Sequence, residues 1–194
     1  EQIMMSLSAD IWAEGGFCDG RQLSKAISVI PLTIADPEQA AWGGLQQLPA
    51  EISARLHQEL HRAEADFVVK TMADAPVTTH PERITADTRR QLAYLAEQHL
   101  SQYLVMGRIT NMAMGKLDGS IFRSDKLVRQ FAMQLTLIDG FSGLPVQTRE
   151  YQTRTEWPFG LTAAINPLAD QFWRSAYGLE IARLLRDATD DISL

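Results

Sequence analysis

Two histidines four residues apart, His57 and His61 in His57-Gln58-Glu59-Leu60-His61, come nearest in this chain to a reaction centre. On a helix that spacing turns both imidazoles the same way, as a zinc site requires. The acid is misplaced. A zinc-protease helix carries Glu directly after the first His, or in the inverted form directly before the second, and Glu59 holds neither position. A third ligand would have to come from His80, His99 or Cys18, and none stands at a spacing that recommends it. His57 and His61 therefore read as solvated helix-face residues, and no metal is expected.

The remaining chemical candidates fail in similar ways. Cys18 is the only cysteine and has no neighbouring His, Asn or Asp in a nucleophile signature, so it reads as a buried thiol or one that pairs outside this chain. Ser142 lies in Gly-Phe-Ser-Gly, one residue short of the G-x-S-x-G elbow and in a reversal rather than a strand-to-helix turn. Gly43-Gly44 lacks the Lys-Ser/Thr of a phosphate loop, and no G-x-G-x-x-G occurs. Neither a cofactor nor an enzymatic activity is expected.

A formal charge of −6 and a pI near 5.2 repel phosphate backbones, and the only adjacent basic pair is Arg89-Arg90, so nucleic acid is not an expected partner. No run approaches the roughly 20 apolar residues of a membrane helix, so no span is expected. With 45% hydrophobic residues in 194, the chain has enough apolar material for one globular core. Its start at Glu1, without an initiator Met, suggests a piece of a longer precursor.

The elements that would carry any site follow from periodicity. Phe131, Met133, Leu135 and Leu137 alternate with Gln130, Ala132, Gln134 and Thr136, which predicts a strand with one buried and one wetter face. It runs into Ile138-Asp-Gly-Phe-Ser-Gly143, a reversal, and Val146 to Trp157 returns as the next strand. Tyr103-Leu104-Val105-Met106-Gly107 opens this three-strand antiparallel meander.

Upstream, Ala26 to Thr33 reads as a core strand buried on both faces, somewhat weakened by Pro31. Asp36-Pro37-Glu38 is a helix start, and a longer helix over Ala50 to Ala63 carries the stripe Leu45, Leu48, Ile52, Leu56 and Leu60, with Glu51 four before Arg55 on its outside. Phe67-Val68-Val69 is a short strand, Ala75 to Glu82 a polar loop, and Thr85 to Leu100 a helix with Leu92, Leu95, Ala96 and His99 inward. A last helix starts near Asn166-Pro167 and carries Phe172, Trp173, Tyr177, Ile181, Leu184 and Leu185, while Asp190-Asp191 reads as its solvated end. The fold class expected is α/β, a mixed sheet with a parallel β-α-β first half, the antiparallel meander as second half, and helices packed on the sheet. Residues 1–24 form an entering strand (Ile3 to Ala13) and linker, and 25–194 the α/β domain.

With no catalytic set, function falls to surfaces. The stretch Gly115 to Asp125 is long for a hairpin connection, and Phe122 with Arg123 and Asp125 beside it suits a contact anchor with a charged rim. The competing reading folds Ile121 and Phe122 back onto the core as the next strand begins. Trp42, in a short glycine-broken helix, is a further candidate for an exposed contact.

Several strings, in this order and spacing, resemble the flagellar assembly protein T family: Ile27-Ser-Val-Ile-Pro-Leu32, Pro37-Glu-Gln-Ala40, Val105-Met-Gly-Arg-Ile109, Arg129-Gln-Phe131, Leu137-Ile-Asp-Gly-Phe-Ser-Gly143, Tyr151 to Trp157, and Phe172-Trp-Arg-Ser-Ala-Tyr-Gly178. The resemblance implies the middle domain of a three-domain protein, with a fold similar to the amino-terminal domain of the translocation protein B of the Tol system. It also implies a periplasmic place in the flagellar basal-body ring, the H ring, with other ring and stator-associated proteins as partners. The alternative is a periplasmic peptide- or ligand-binding module of the Tol or curli-secretion type, which an open groove beside an unpaired sheet edge would favour.

Overall fold

The computed structural model describes residues 25–63, 67–71, 84–117, 126–158 and 166–192. Seven strands form one mixed sheet: β1 (Lys25–Val29), β2 (Thr33–Ile34), β3 (Phe67–Thr71), β4 (Tyr103–Asn111), β5 (Met114–Leu117), β6 (Lys126–Asp139) and β7 (Pro145–Pro158). Five helices accompany them among the described residues: α1 (Pro37–Gly43), α2 (Leu48–Ala63), α3 (Ala86–Gln98), α4 (Asp170–Arg174) and α5 (Ala176–Ile192). β1 lies parallel to both β3 and β4, β2 continues parallel to β4, and β6 is antiparallel to β4, β5 and β7. The expected mixed α/β architecture is the one the chain adopts.

Two strands expected to be continuous are broken, each for a local reason. The core strand over Ala26 to Thr33 ends at Val29, because Pro31 has no ladder donor. The Leu32 amide turns instead to Ser53 Oγ on α2 at 3.0 Å, and that hydroxyl donates to Pro49 O at 2.8 Å. Likewise β4 and β5 both pair with β6 and are separated by an irregularity at Met112-Ala113. There the Met112 amide donates to Gln39 Oε1 on α1 and the Ala113 amide to Asn111 Oδ1, so both amides of the interruption are satisfied by side chains. β5 also corrects the expected Gly115–Asp125 loop, since Gly115 to Leu117 are paired with β6 and the connection is 118–125.

The predicted alternation of β6 fixes which face is which. Phe131, Met133, Leu135 and Leu137 are buried in the main core with Ile27, Val29, Val105 and Ile109. Against them lie Leu48, Ile52, Leu56 and Leu60 of α2, whose three- and four-residue steps make one apolar stripe, and Tyr177, Ile181, Leu184 and Leu185 of α5. The second face is not uniformly wet. At one end α3 covers it, packing Leu92 and Ala96 on Ile30, Leu104, Met106 and Ile138. Thr136, expected on the wetter face, is consequently buried and bonds Thr148 Oγ1 at 3.1 Å. Beneath α3, Ser28 and Ser101 satisfy each other at 2.5 Å in an otherwise apolar setting.

α1 starts as predicted, with Asp36 accepting from the Glu38 and Gln39 amides and Pro37 in the first turn. The single carboxyl-terminal helix expected from Asn166-Pro167 is two helices. Ser175 adopts extended backbone and acts at the start of α5, its hydroxyl accepting from the Gly178 amide at 3.1 Å and donating to Phe172 O at 2.5 Å. Arg55, expected on the outside of α2, lies with its guanidinium 3.7 Å from the Trp173 ring centroid, sealing that corner.

The turn between α4 and α5 requires a glycine. A Cβ at Gly178 would stand 2.1 Å from Phe172 O and 2.7 Å from Trp173 Cα, both backbone atoms that cannot swing away. Gly178→Ala is therefore expected to lower stability by about 1–3 kcal/mol. Thermal unfolding should shift by roughly 2–4 °C for each kcal/mol lost; an unchanged midpoint would show that α4 and α5 separate at no cost.

Candidate interaction surface

Away from α3 the second face of the sheet is a polar ladder uncovered by any described helix. Strand alternation places Gln130, Ala132 and Gln134 of β6 there, and the β6–β7 register sets Arg154 beside Gln130, Gln152 beside Ala132 and Glu150 beside Gln134. Between β4 and β7 it forms a groove of about 350 Å³, with Asn111, Gln130, Ala132, Gln152 and Arg154 among its walls. Its charges are of both signs. Glu156 takes Lys126 at 3.3 Å and Arg154 at 2.9 Å, and the hydrogen bond from Lys126 is the chief cause that holds its carboxyl below the ordinary range. Glu156 and both its partners are solvent-exposed, so these pairs order the surface more than they stabilise the fold.

β7 bounds this surface and is an edge: among the described residues it pairs with β6 alone. Pro145 and Pro158 close its two ends. Its helical face is anchored. Tyr151 Oη donates to Asp191 Oδ2 at 3.0 Å and Arg149 meets Asp191 Oδ1 at 2.5 Å, so Asp191 is a clasp between α5 and β7 rather than the solvated end expected. Thr153 adds a second link to α5, donating to Glu180 Oε2 at 3.2 Å. Burial first, then the hydrogen bond from the phenol to Asp191, pushes the Tyr151 hydroxyl well above its ordinary pKa.

At the far end of the helical face sits an aromatic cluster of Phe131, Phe172, Trp173 and Tyr177 in edge-to-face contacts. Arg129 is buried beside it, 5.3 Å from the Tyr177 ring centroid, and burial lowers the pKa of its guanidinium. Burial likewise raises the Tyr177 phenol, partly offset by the Arg129 charge.

Of the contact residues expected from sequence, Phe122, Arg123 and Asp125 lie outside the described residues, as does Cys18. Trp42 falls on α1, with its side chain outside the described part. His57 is half-buried and His61 exposed on α2, and among the described residues no group of three or more His, Cys, Asp or Glu gathers as a metal site would. What sequence reasoning missed is the β6–β7 turn, where Phe141 is 94% exposed with Leu144 and Val146 also outward. The turn itself is rigidly seated. Gly143 has φ +66° and backs onto Arg89 O of α3, while the Gly140 amide bonds Gln102 O at 2.7 Å.

Residues 16–167 match the family described as flagellar assembly protein T, middle domain, a stretch that takes in all seven strands. The chain belongs to the flagellar assembly protein T family. The matched stretch ends before α4, so the string Phe172 to Gly178 lies beyond it. None of the curated proteins matches the sequence. This chain shares its fold with the hypothetical protein CT253 from Chlamydia trachomatis, at 15% identity and a TM-score of 0.56 over 87% of this chain and 95% of that one. The PelC dodecamer from Paraburkholderia phytofirmans is more distantly similar, at 12% identity and a TM-score of 0.45 over 84% and 86% of the two chains. Lipoprotein GNA1162 from Neisseria meningitidis is similar at 15% identity and 0.40 over 87% and 98%. No described helix is long and apolar enough to cross a membrane.

The Tyr151–Asp191 clasp has a pH signature. A phenol whose folded pKa is raised stabilises the fold fully below its unfolded pKa of about 10, and that contribution is lost as pH climbs through the folded value. Tyr151 and Tyr177 both act in this sense. Stability should therefore decline above about pH 10, with these two phenols ionising only on unfolding. Tyr151→Phe should cost about 0.5–1.5 kcal/mol near neutrality and make the alkaline decline shallower. Denaturant titrations across pH, with phenolate absorbance, measure both; an unchanged alkaline slope would remove Tyr151 from this role.

Proposed function

We propose that this chain is a non-enzymatic structural module of the periplasmic flagellar basal-body ring, the H ring, needed for flagellar assembly and motility. The observation that carries the reading is the family match across the whole sheet. The surface chemistry agrees with it: a clasped scaffold presents a polar face, an edge strand and an exposed apolar turn, which suit contacts with other ring and stator-associated proteins. In this reading residues 1–24 link to a preceding domain and 25–194 form the middle domain. The contact loop is 118–125, with Phe122 as anchor and Arg123 and Asp125 as rim, and Trp42 is a further contact.

The reading has a rival with its own support. The groove beside the β7 edge meets the geometric condition for a module that binds an extended peptide, as in the Tol or curli-secretion systems.

A paired substitution tests the structural role. Phe122→Ala with Arg123→Glu should leave the melting temperature within about 2 °C of the parent, as surface changes do. The same variant should impair ring assembly and swimming. Normal motility with a normal melt would reject the loop as a contact, and a large loss of stability would show that Phe122 belongs to the core. Deleting the protein should abolish flagella or their rotation; motile cells without it would reject the basal-body role itself.

A further inference from the structure

We propose that β7 is a self-complementary edge, which pairs antiparallel with β7 of a second copy of this chain about a two-fold axis at Gln152. The proposal rests on the strand's geometry and charge and stands independently of the flagellar reading.

β7 runs from Pro145 to Pro158 with one ladder toward β6 and one side unpaired among the described residues. Its even-numbered residues Glu150, Gln152 and Arg154 all point to the uncovered polar face, because each is set opposite an even-numbered residue of β6 on that face. When two such edges meet about a two-fold axis normal to the sheet, their open faces stay on the same side and even residues oppose even residues.

The charges then choose among registers. Centred on Gln152, Glu150 stands opposite Arg154 of the second copy, and by symmetry the pair occurs twice. The same centring brings Gln147 opposite Trp157, so the regular part of the strand is paired up to the irregularity at Val146. Centred on Tyr151, Glu150 meets Gln152 and Arg154 meets Thr148, with no ion pair. Centred on Thr153, Glu150 meets Glu156, a like-charge clash. Cross-strand pairs of opposite sign stabilise and like charges directly opposite destabilise, so one register is favoured over its neighbours.

Glu150 is positioned to make such a bond. It is exposed, and it takes part in none of the ion pairs formed among the described residues. Charged side chains on an edge often serve to block pairing, most strongly where like charges would stand opposite one another. Here the axis sets unlike ones. The helical side is held in register by the Asp191 clasp, so the edge is presented by a rigid strand.

The test is charge exchange, read by sedimentation of the full chain from micromolar to millimolar concentration at low salt. The parent should be in monomer–dimer equilibrium, weakened by added salt. Glu150→Arg alone, or Arg154→Glu alone, turns both symmetric pairs repulsive and should weaken the dimer by about tenfold or more. The double variant Glu150→Arg/Arg154→Glu restores both pairs with signs reversed and should recover the dimer. Gln152→Lys, which sets two like charges on the axis, should abolish it, and melting curves of every variant check that the fold is intact. A parent that stays monomeric throughout, a dimer indifferent to the single changes, or a double variant that fails to recover would each overturn the proposal. Saturable binding of an extended peptide along β7 by a chain that never dimerises would overturn it in favour of the peptide-binding reading.

Discussion

Strand β4 has to satisfy two kinds of ladder at once. On one side it accepts β1 and β2 in parallel, with slanted bonds; on the other it pairs antiparallel with β6 over most of its length. Every other element is placed by this junction. The parallel side demands crossovers, which supplies the helices between β1 and β4; the antiparallel side permits tight turns, which lets β6 and β7 grow long. Because β1 and β4 are central, they are buried on both faces where α3 covers the sheet, and the serine pair Ser28–Ser101 is the polar detail tolerated there.

Much of this was legible from the residues because burial on one face leaves a period. The β6 alternation and the α2 leucine stripe are strong since each residue meets the same environment as its periodic neighbours. Breaks were harder to see. The interruption at Pro31 depends on Ser53 reaching from another element, and the one at Met112-Ala113 on Gln39, so neither partner is local in sequence. The split at Ser175 was hidden because Phe172, Trp173 and Tyr177 keep an apolar pattern across it, while the hydroxyl and Gly178 turn the chain. Arg55 likewise looks solvent-facing in the sequence, because its partner Trp173 lies in a distant helix.

The surface was the least legible part. Whether a strand is an edge is a property of strand order, although the polar run of β7 with a proline at each end, against the apolar β6, is the composition an edge tolerates. The polar face of β6 was visible as alternation, yet its division into a covered end and an open end depends on where α3 docks, which the Gly143 approach to Arg89 and the Leu92 and Ala96 contacts decide. The stretch Gly115 to Asp125 stands out in the sequence by length alone, a weaker signal than chemistry, and β5 takes its first part, Gly115 to Leu117, into the sheet.

The placement of β1 between β3 and β4 also governs the order in which the chain can assemble. Ser28 and Ser101 are 73 positions apart, so the innermost parallel pairing closes a very large loop, whereas β6 and β7 close through a short turn. The local hairpin should thus form early and offer β4 a template, with β1 inserted late as the slow, non-local step. During synthesis β1 can pair with β3, but its other edge must wait unpaired until β4 has emerged. That interval is when this domain is most exposed to misassembly.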